Sequence, residues 1–282
     1  MILLEPVEIA RTVVAIVATT AAWGQQAPAY RAPRFAGTQN PDLNGIWEAL
    51  NSAHWDLEPH AAAPSPFPAI LGEYGAQPAG LGVVEGGKIP YQPWAAEKKK
   101  ENFKNRLTRT TNREDNESKG DPEAKCYLPG VPRATYMPYP FRIVQTAKQV
   151  LIAYEFASAT RIVYMDRKPK VPDYTWMGWS VGHWDGDTLV VDVTDQNDRT
   201  WFDRAGNFHS EALHVVERYT ASSPYHLLYE AIIEDPKVFT RPWTIRMPLY
   251  RRIEPDAKLL EFKCVEFSEE FLYGHFIDRP GK

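Results

Sequence analysis

Ser180–Thr194 reads SVGHWDGDTLVVDVT. Two runs of strand character, Ser180–Trp184 and Thr188–Thr194, flank Asp185-Gly186-Asp187. An Asp-Gly pair tolerates the positive φ of a tight hairpin turn, so the stretch predicts two antiparallel strands. The pattern repeats outward from there. Phe141–Thr146 and Gln149–Phe156 flank a short Ala-Lys connection and predict a second hairpin. Thr160–Asp166, Glu211–Thr220, Tyr225–Asp235, Trp243–Arg252 and Leu259–Cys264 complete about nine strands. No helical pattern intervenes and most connections are short, which implies an antiparallel meander. A meander of this length rolls into a sandwich or an up-and-down barrel. Apolar residues on both faces, as in LIAY, TLVV and LLYEAII, favour a lipocalin-like barrel with a ligand cavity inside and a covering segment outside.

The covering segment is legible in the prolines. Sixteen of the 24 lie in residues 1–141 of the 282. That excess excludes a helical bundle and marks the first half as an extended, wrapping arm. Pro41-Asp42-Leu43-Asn44-Gly45-Ile46-Trp47 reads as a turn leading into a first strand. One short helix is expected near residues 93–110, where Pro93 stands at a helix start ahead of good helix formers. The domain reading is therefore 1–24 leader, 25–135 arm and 136–282 barrel.

The leader reading rests on Thr12–Ala22 (TVVAIVATTAA), preceded by Arg11 and followed by Ala22-Trp23-Gly24. It predicts a secretory signal cleaved near Gly24, and so an exported protein, periplasmic or extracellular. A buried amphipathic N-terminal helix is the alternative. The run is too short to span a membrane, and no other run approaches that length. In an exported chain Cys126 and Cys264 are candidates for one disulfide. Two buried free thiols are the other possibility. The formal charge of −4 argues against a nucleic-acid partner.

Asp192–Glu217 holds the densest set of acids, bases and cations. It crosses a loop between two strands, where a barrel mouth places small-molecule sites. Asp198, Asp203, His209 and Glu217 are the candidate catalytic acids and bases. Arg161, Trp176, Trp179, Asp192, Trp201, His214 and Arg218 are the candidate substrate contacts, the tryptophans as pocket walls. Bland roles compete at each position. Asp198 and Asp203 are good turn caps, Asp192 fits an outward strand position, and the aromatics suit core packing. Of Glu217 and Arg218, one faces each side of the sheet. A metal is not expected, because no HExxH or facial-triad spacing appears. No cofactor motif is present either.

Three stretches, Pro41–Trp47 (PDLNGIW), Asp121–Arg133 (DPEAKCYLPGVPR) and Trp176–Tyr219, are together similar to a family of exported, uncharacterised bacterial proteins. The resemblance implies export and a whole-domain pattern, and it assigns no catalytic role.

The expected function is an enzyme acting on an apolar small molecule by general acid–base proton transfer, of isomerase, cyclase or lyase type. The alternatives are a non-catalytic lipocalin-type binding protein of the cell envelope and a structural envelope protein. A His–carboxylate pair facing a cavity would favour the enzyme. A cavity lined only by apolar and aromatic groups would favour the carrier.

Overall fold

A computed structural model describes residues 30–66, 75–107, 120–165 and 173–265. The expected leader and the last residues of the chain lie outside that range. Nine strands form a closed barrel in chain order. They are β1 (Gly45–Glu48), β2 (Phe141–Gln145), β3 (Gln149–Tyr154), β4 (Thr160–Met165), β5 (Trp179–Asp185), β6 (Thr188–Thr194), β7 (His214–Ser223), β8 (His226–Glu234) and β9 (Trp243–Arg251). Asp185-Gly186-Asp187 makes the expected turn, with Gly186 at φ 58°.

The sheet departs from a pure antiparallel meander at one pair. β4 and β5 run parallel, while every other neighbouring pair is antiparallel. The reason is counting. A closed ring with an odd number of strands cannot alternate direction all the way round, so at least one pair must be parallel. The β4–β5 ladder is also short, starting only at Val163–Ser180.

Leu259–Cys264 is not a strand. The ninth strand is β1, which the arm supplies. Trp47 and Glu48 pair with Arg251 and Tyr250, so the edge of β9 that residues 259–264 would need is already occupied. That segment instead lays Phe262 against Tyr139 and Phe156, at ring separations of 5.3 and 4.9 Å.

Period-2 alternation sends one set of side chains into the lumen. Trp47, Phe141, Ile152, Tyr219, Tyr229 and Leu249 are each fully buried there. At about 25 cal/mol per Å² of apolar area, such residues supply most of the driving force for closure. The arm lies across the outside. It bridges β9 at Val84–Ile245 and the loop before β9 at Tyr91–Phe239. The turn before β1 is fastened to β2: Gln145 N donates to Asn44 Oδ1 at 2.7 Å, and Gln145 Nε2 to Pro41 O at 3.0 Å.

Helix α1 spans Pro93–Asn105, with proline at its first turn as expected. A second helix, α2 (Arg133–Tyr136), was not expected and corrects the count of one. Its four residues lie just after Pro132 and are too few to show a helical period. α2 covers one barrel end, with Thr135 Oγ1 3.4 Å from the hydroxyls of both Tyr154 and Tyr219. Arg133 anchors it from within. Its guanidinium grips Asp121 at 2.8 and 2.9 Å, with Glu123 3.6 Å away. Burial alone would raise the Asp121 carboxyl, but the paired Arg133 charge wins and holds it below the usual range.

Cys126 and Cys264 form a disulfide, with Cα atoms 5.5 Å apart. It ties the segment before α2 to the chain beyond β9 and closes a sequence separation of 138 residues. A loop of that size removes on the order of 4–5 kcal/mol of unfolded-state entropy in the simplest account. Cys264→Ser is expected to lower unfolding stability by about 2–5 kcal/mol in guanidinium titrations. A loss below about 0.5 kcal/mol would show that the segment is held by packing alone.

Candidate functional site

The interior of the barrel carries charge. Glu217 on β7 and Arg161 on β4 both face inward and meet across the lumen, Nη1 to Oε2 at 2.6 Å. Glu217 Oε1 also accepts the hydroxyls of Tyr219 at 2.9 Å and Tyr229 at 2.8 Å. Arg161 donates to Tyr154 OH at 3.0 Å, Tyr219 OH at 3.1 Å and Ser180 Oγ at 3.3 Å. Burial opposes a charged Arg161, yet Glu217 beside it holds the guanidinium well above its ordinary pKa. Burial also raises the three tyrosines, so they remain protonated donors at neutral pH. The cluster is a net neutral ion pair, with Glu217 Oε2 met by the Arg161 charge alone.

The remaining candidates are spread over three other environments. Asp203 is fully buried in the turn after Trp201, where it accepts from Leu57 N at 2.8 Å, Ala205 N at 2.9 Å, Asn207 N at 3.2 Å and Asn207 Nδ2 at 2.6 Å. Burial and the neighbouring Asp56 push its carboxyl up to about 7, against the pull of the Asn207 side chain, the Leu57 N–H and the Arg133 charge. This is the turn-capping role, and it fastens the arm at Leu57. His209 is buried as well. Its Nδ1 lies 3.0 Å from the Ser210 carbonyl, which makes it the protonated nitrogen. Nε2 then accepts from Thr200 Oγ1 at 2.7 Å. Burial lowers its pKa, so the ring is neutral. Trp201 is buried in the same turn and bridges Phe208.

Asp192, His214 and Arg218 point outward. His214 Nε2 meets Asp192 Oδ1 at 3.0 Å on the half-exposed outer face. Arg218 pairs with Asp185 at 2.9 Å, so Glu217 is the inward member of its pair. Asp198 is exposed, on a groove it shares with Tyr174 and Trp176. The four candidate acids and bases therefore do not converge, and among the described residues no His–carboxylate pair faces a cavity. No cluster of metal-binding side chains occurs among the described residues either.

What does converge is Arg161, Trp176 and Trp179. Where β4 and β5 have not yet paired, a cleft of about 390 Å³ opens at their seam. Trp179 stacks on Tyr164 at 4.8 Å and Trp176 on Tyr127 at 5.0 Å, forming two rigid aromatic walls. Leu128 and Met177 add apolar surface, and Arg161 and Ser180 form the deep end. The indole Nε1 of Trp179 is buried without an acceptor. Sequence reading missed Ser180, Tyr154, Tyr219 and Tyr229. Strand parity was the available signal, since Tyr219 shares a face with Glu217.

A separate centre lies beside α2. His54 is buried, and its Nδ1 has no hydrogen-bond partner. Burial, then the nearby Arg204 and Arg133 charges, lower its pKa to about 3. Folded His54 is thus neutral, whereas the unfolded imidazole takes up a proton below about pH 6.5. Its contribution to stability is complete above that value and is lost as the pH falls toward 3. Between pH 7 and pH 5 the native protein is expected to lose about 2 kcal/mol more stability than a His54→Gln variant, measured by urea unfolding. Parallel pH profiles for the two would contradict this. A second prediction concerns the lumen. Arg161→Met strands Glu217 and is expected to cost about 3–5 kcal/mol, whereas Arg161→Met combined with Glu217→Leu recovers most of it. Equal losses in the single and double variants would contradict the pairing.

No family model, curated protein or solved structure matches this chain.

Proposed function

We propose that the protein is a non-catalytic binder of a small, neutral, apolar molecule, taken up in the β4–β5 cleft. The observation that carries the reading is the pair of stacked aromatic walls leading to a polar but charge-neutral end. Flat apolar surface is what an aromatic or polycyclic body packs against. The Arg161 charge is already balanced by Glu217, so the cleft rewards a hydrogen-bond acceptor such as a carbonyl or hydroxyl more than an anion. Proton-transfer catalysis draws less support. Asp203, His209 and Glu217 have their polar atoms engaged, and Asp198 stands in solvent. The Cys126–Cys264 bridge suits an oxidising compartment, which supports export as the setting.

The test is a calorimetric titration with 2-acetylnaphthalene and with 2-naphthoate. The neutral ketone is expected to bind more tightly, and Trp179→Ala is expected to weaken it about tenfold through loss of the stacked wall. Tighter binding of the naphthoate that Trp179→Ala abolishes would sink the neutral-ligand reading. Ketone affinity indifferent to Trp179 would sink the site.

A further inference from the structure

The far end of the barrel holds a second cleft of about 300 Å³, beside the β7–β8 turn and the start of β1. Its principal charged group is Arg251. Arg218, Arg246 and Arg252 each hold a carboxylate, on Asp185, Glu230 and Glu254 respectively. Arg251 pairs with none among the described residues. It is half-buried, and burial lowers its pKa from the ordinary arginine value. Backbone carbonyls hold two of its nitrogens, with Nη1 2.7 Å from Asn44 O and Nε 2.9 Å from Pro224 O. Its carbon lies 4.1 Å from the centre of the Trp47 ring. Gly45 makes that position accessible, because a Cβ there would stand 2.4 Å from Arg251 Nη1. The guanidinium is therefore fixed, partly desolvated and in no ion pair among the described residues, where Nη2 also meets no acceptor. Tyr30, Pro33, Ala221 and Leu227 supply apolar walls around it.

We propose that this cleft binds a small monocarboxylate with an apolar body, its carboxylate on Arg251 and its body against Tyr30 and Leu227. A planar guanidinium with a free edge matches a carboxylate in shape and charge. A dianion such as phosphate fits less well, because Asp42 lines the same cleft. Asp42 Oδ1 is occupied by Asn44 N at 2.9 Å and Asn44 Nδ2 at 2.7 Å, and Asp42 forms no ion pair with Arg251, although its charge acts on the guanidinium from across the cleft. The site is independent of the β4–β5 cleft, with its own charge and its own walls.

Calorimetric titration of the intact protein with sodium benzoate, benzyl alcohol and inorganic phosphate tests the proposal. Benzoate is expected to bind at least about tenfold more tightly than benzyl alcohol, and more tightly than phosphate. Arg251→Gln should erase the benzoate preference. Asp42→Asn keeps the turn acceptor and removes the nearby negative charge, so benzoate affinity should rise several-fold. A gain of that kind cannot come from a misfolded chain. Trp179→Ala should leave benzoate binding unchanged. The proposal is overturned if benzoate shows no saturable binding, if the alcohol or phosphate binds as well, or if the preference survives Arg251→Gln. Benzoate binding lost with Trp179→Ala, or not strengthened by Asp42→Asn, also overturns it.

Discussion

A carboxylate placed in the lumen of a small barrel has to be met there, and the pairing of Glu217 with Arg161 is the constraint around which the interior is arranged. Removing both charges from water costs several kcal/mol per ion, which a single contact does not restore. The lumen therefore brings three phenols and a serine hydroxyl to the pair, each from a different stretch of sheet. Such an arrangement has one register. Sliding β4 or β7 by one residue would turn Arg161 or Glu217 to the outside and bury its partner alone. The ion pair adds little net stability, but it excludes alternative closures. It also sets the character of the β4–β5 cleft, because a charge that reaches the cleft already balanced leaves it polar without being cationic.

The arm is bound to this barrel by the same kind of chemistry rather than by apolar contact alone. Arg133 and Arg204 share the carboxylates of Asp121 and Glu123, and Asp203 gathers four N–H groups that include one from the arm. The disulfide is a covalent version of the same fastening. Together they hold α2 over one barrel end, so the lumen is closed on the side where its polar groups lie.

The sheet was legible because alternation and turn chemistry are local. The Asp-Gly hairpin, and the strands from Phe141 to Arg251, need only their own residues to be recognised. The two errors of topology are non-local. Nothing within Leu259–Cys264 tells that β9 has no free edge, and nothing within β4 or β5 tells that an odd ring must contain a parallel pair. The site divides in the same way. Asp203 as a turn cap, Asp192 as an outward residue and the opposite faces of Glu217 and Arg218 are readings of neighbours and parity, whereas which of that pair faces inward is not. That His209 would be buried against Thr200, or that Arg161 would cross the lumen to Glu217, depends on closure. The clustering of acids and bases in Asp192–Glu217 suggested one centre; the long β6–β7 connection carries Asp198, Asp203 and His209 into separate environments, and alternation of faces separates Glu217 from Asp192, His214 and Arg218.

Closure through β1 also bears on how the chain reaches this state. The strands from β2 to β9 follow one another closely, whereas β1 is separated from β2 by residues 49–140 and must join two edges at once. Until it does, β2 and β9 each expose a row of unpaired backbone groups, the form in which sheets recruit other chains. Contacts of such long sequence separation form slowly because the intervening chain must first be ordered. The strand emerges first in synthesis and completes the barrel across the greatest distance. Four residues, Gly45–Glu48, thus separate a protected ring from an open, association-prone sheet.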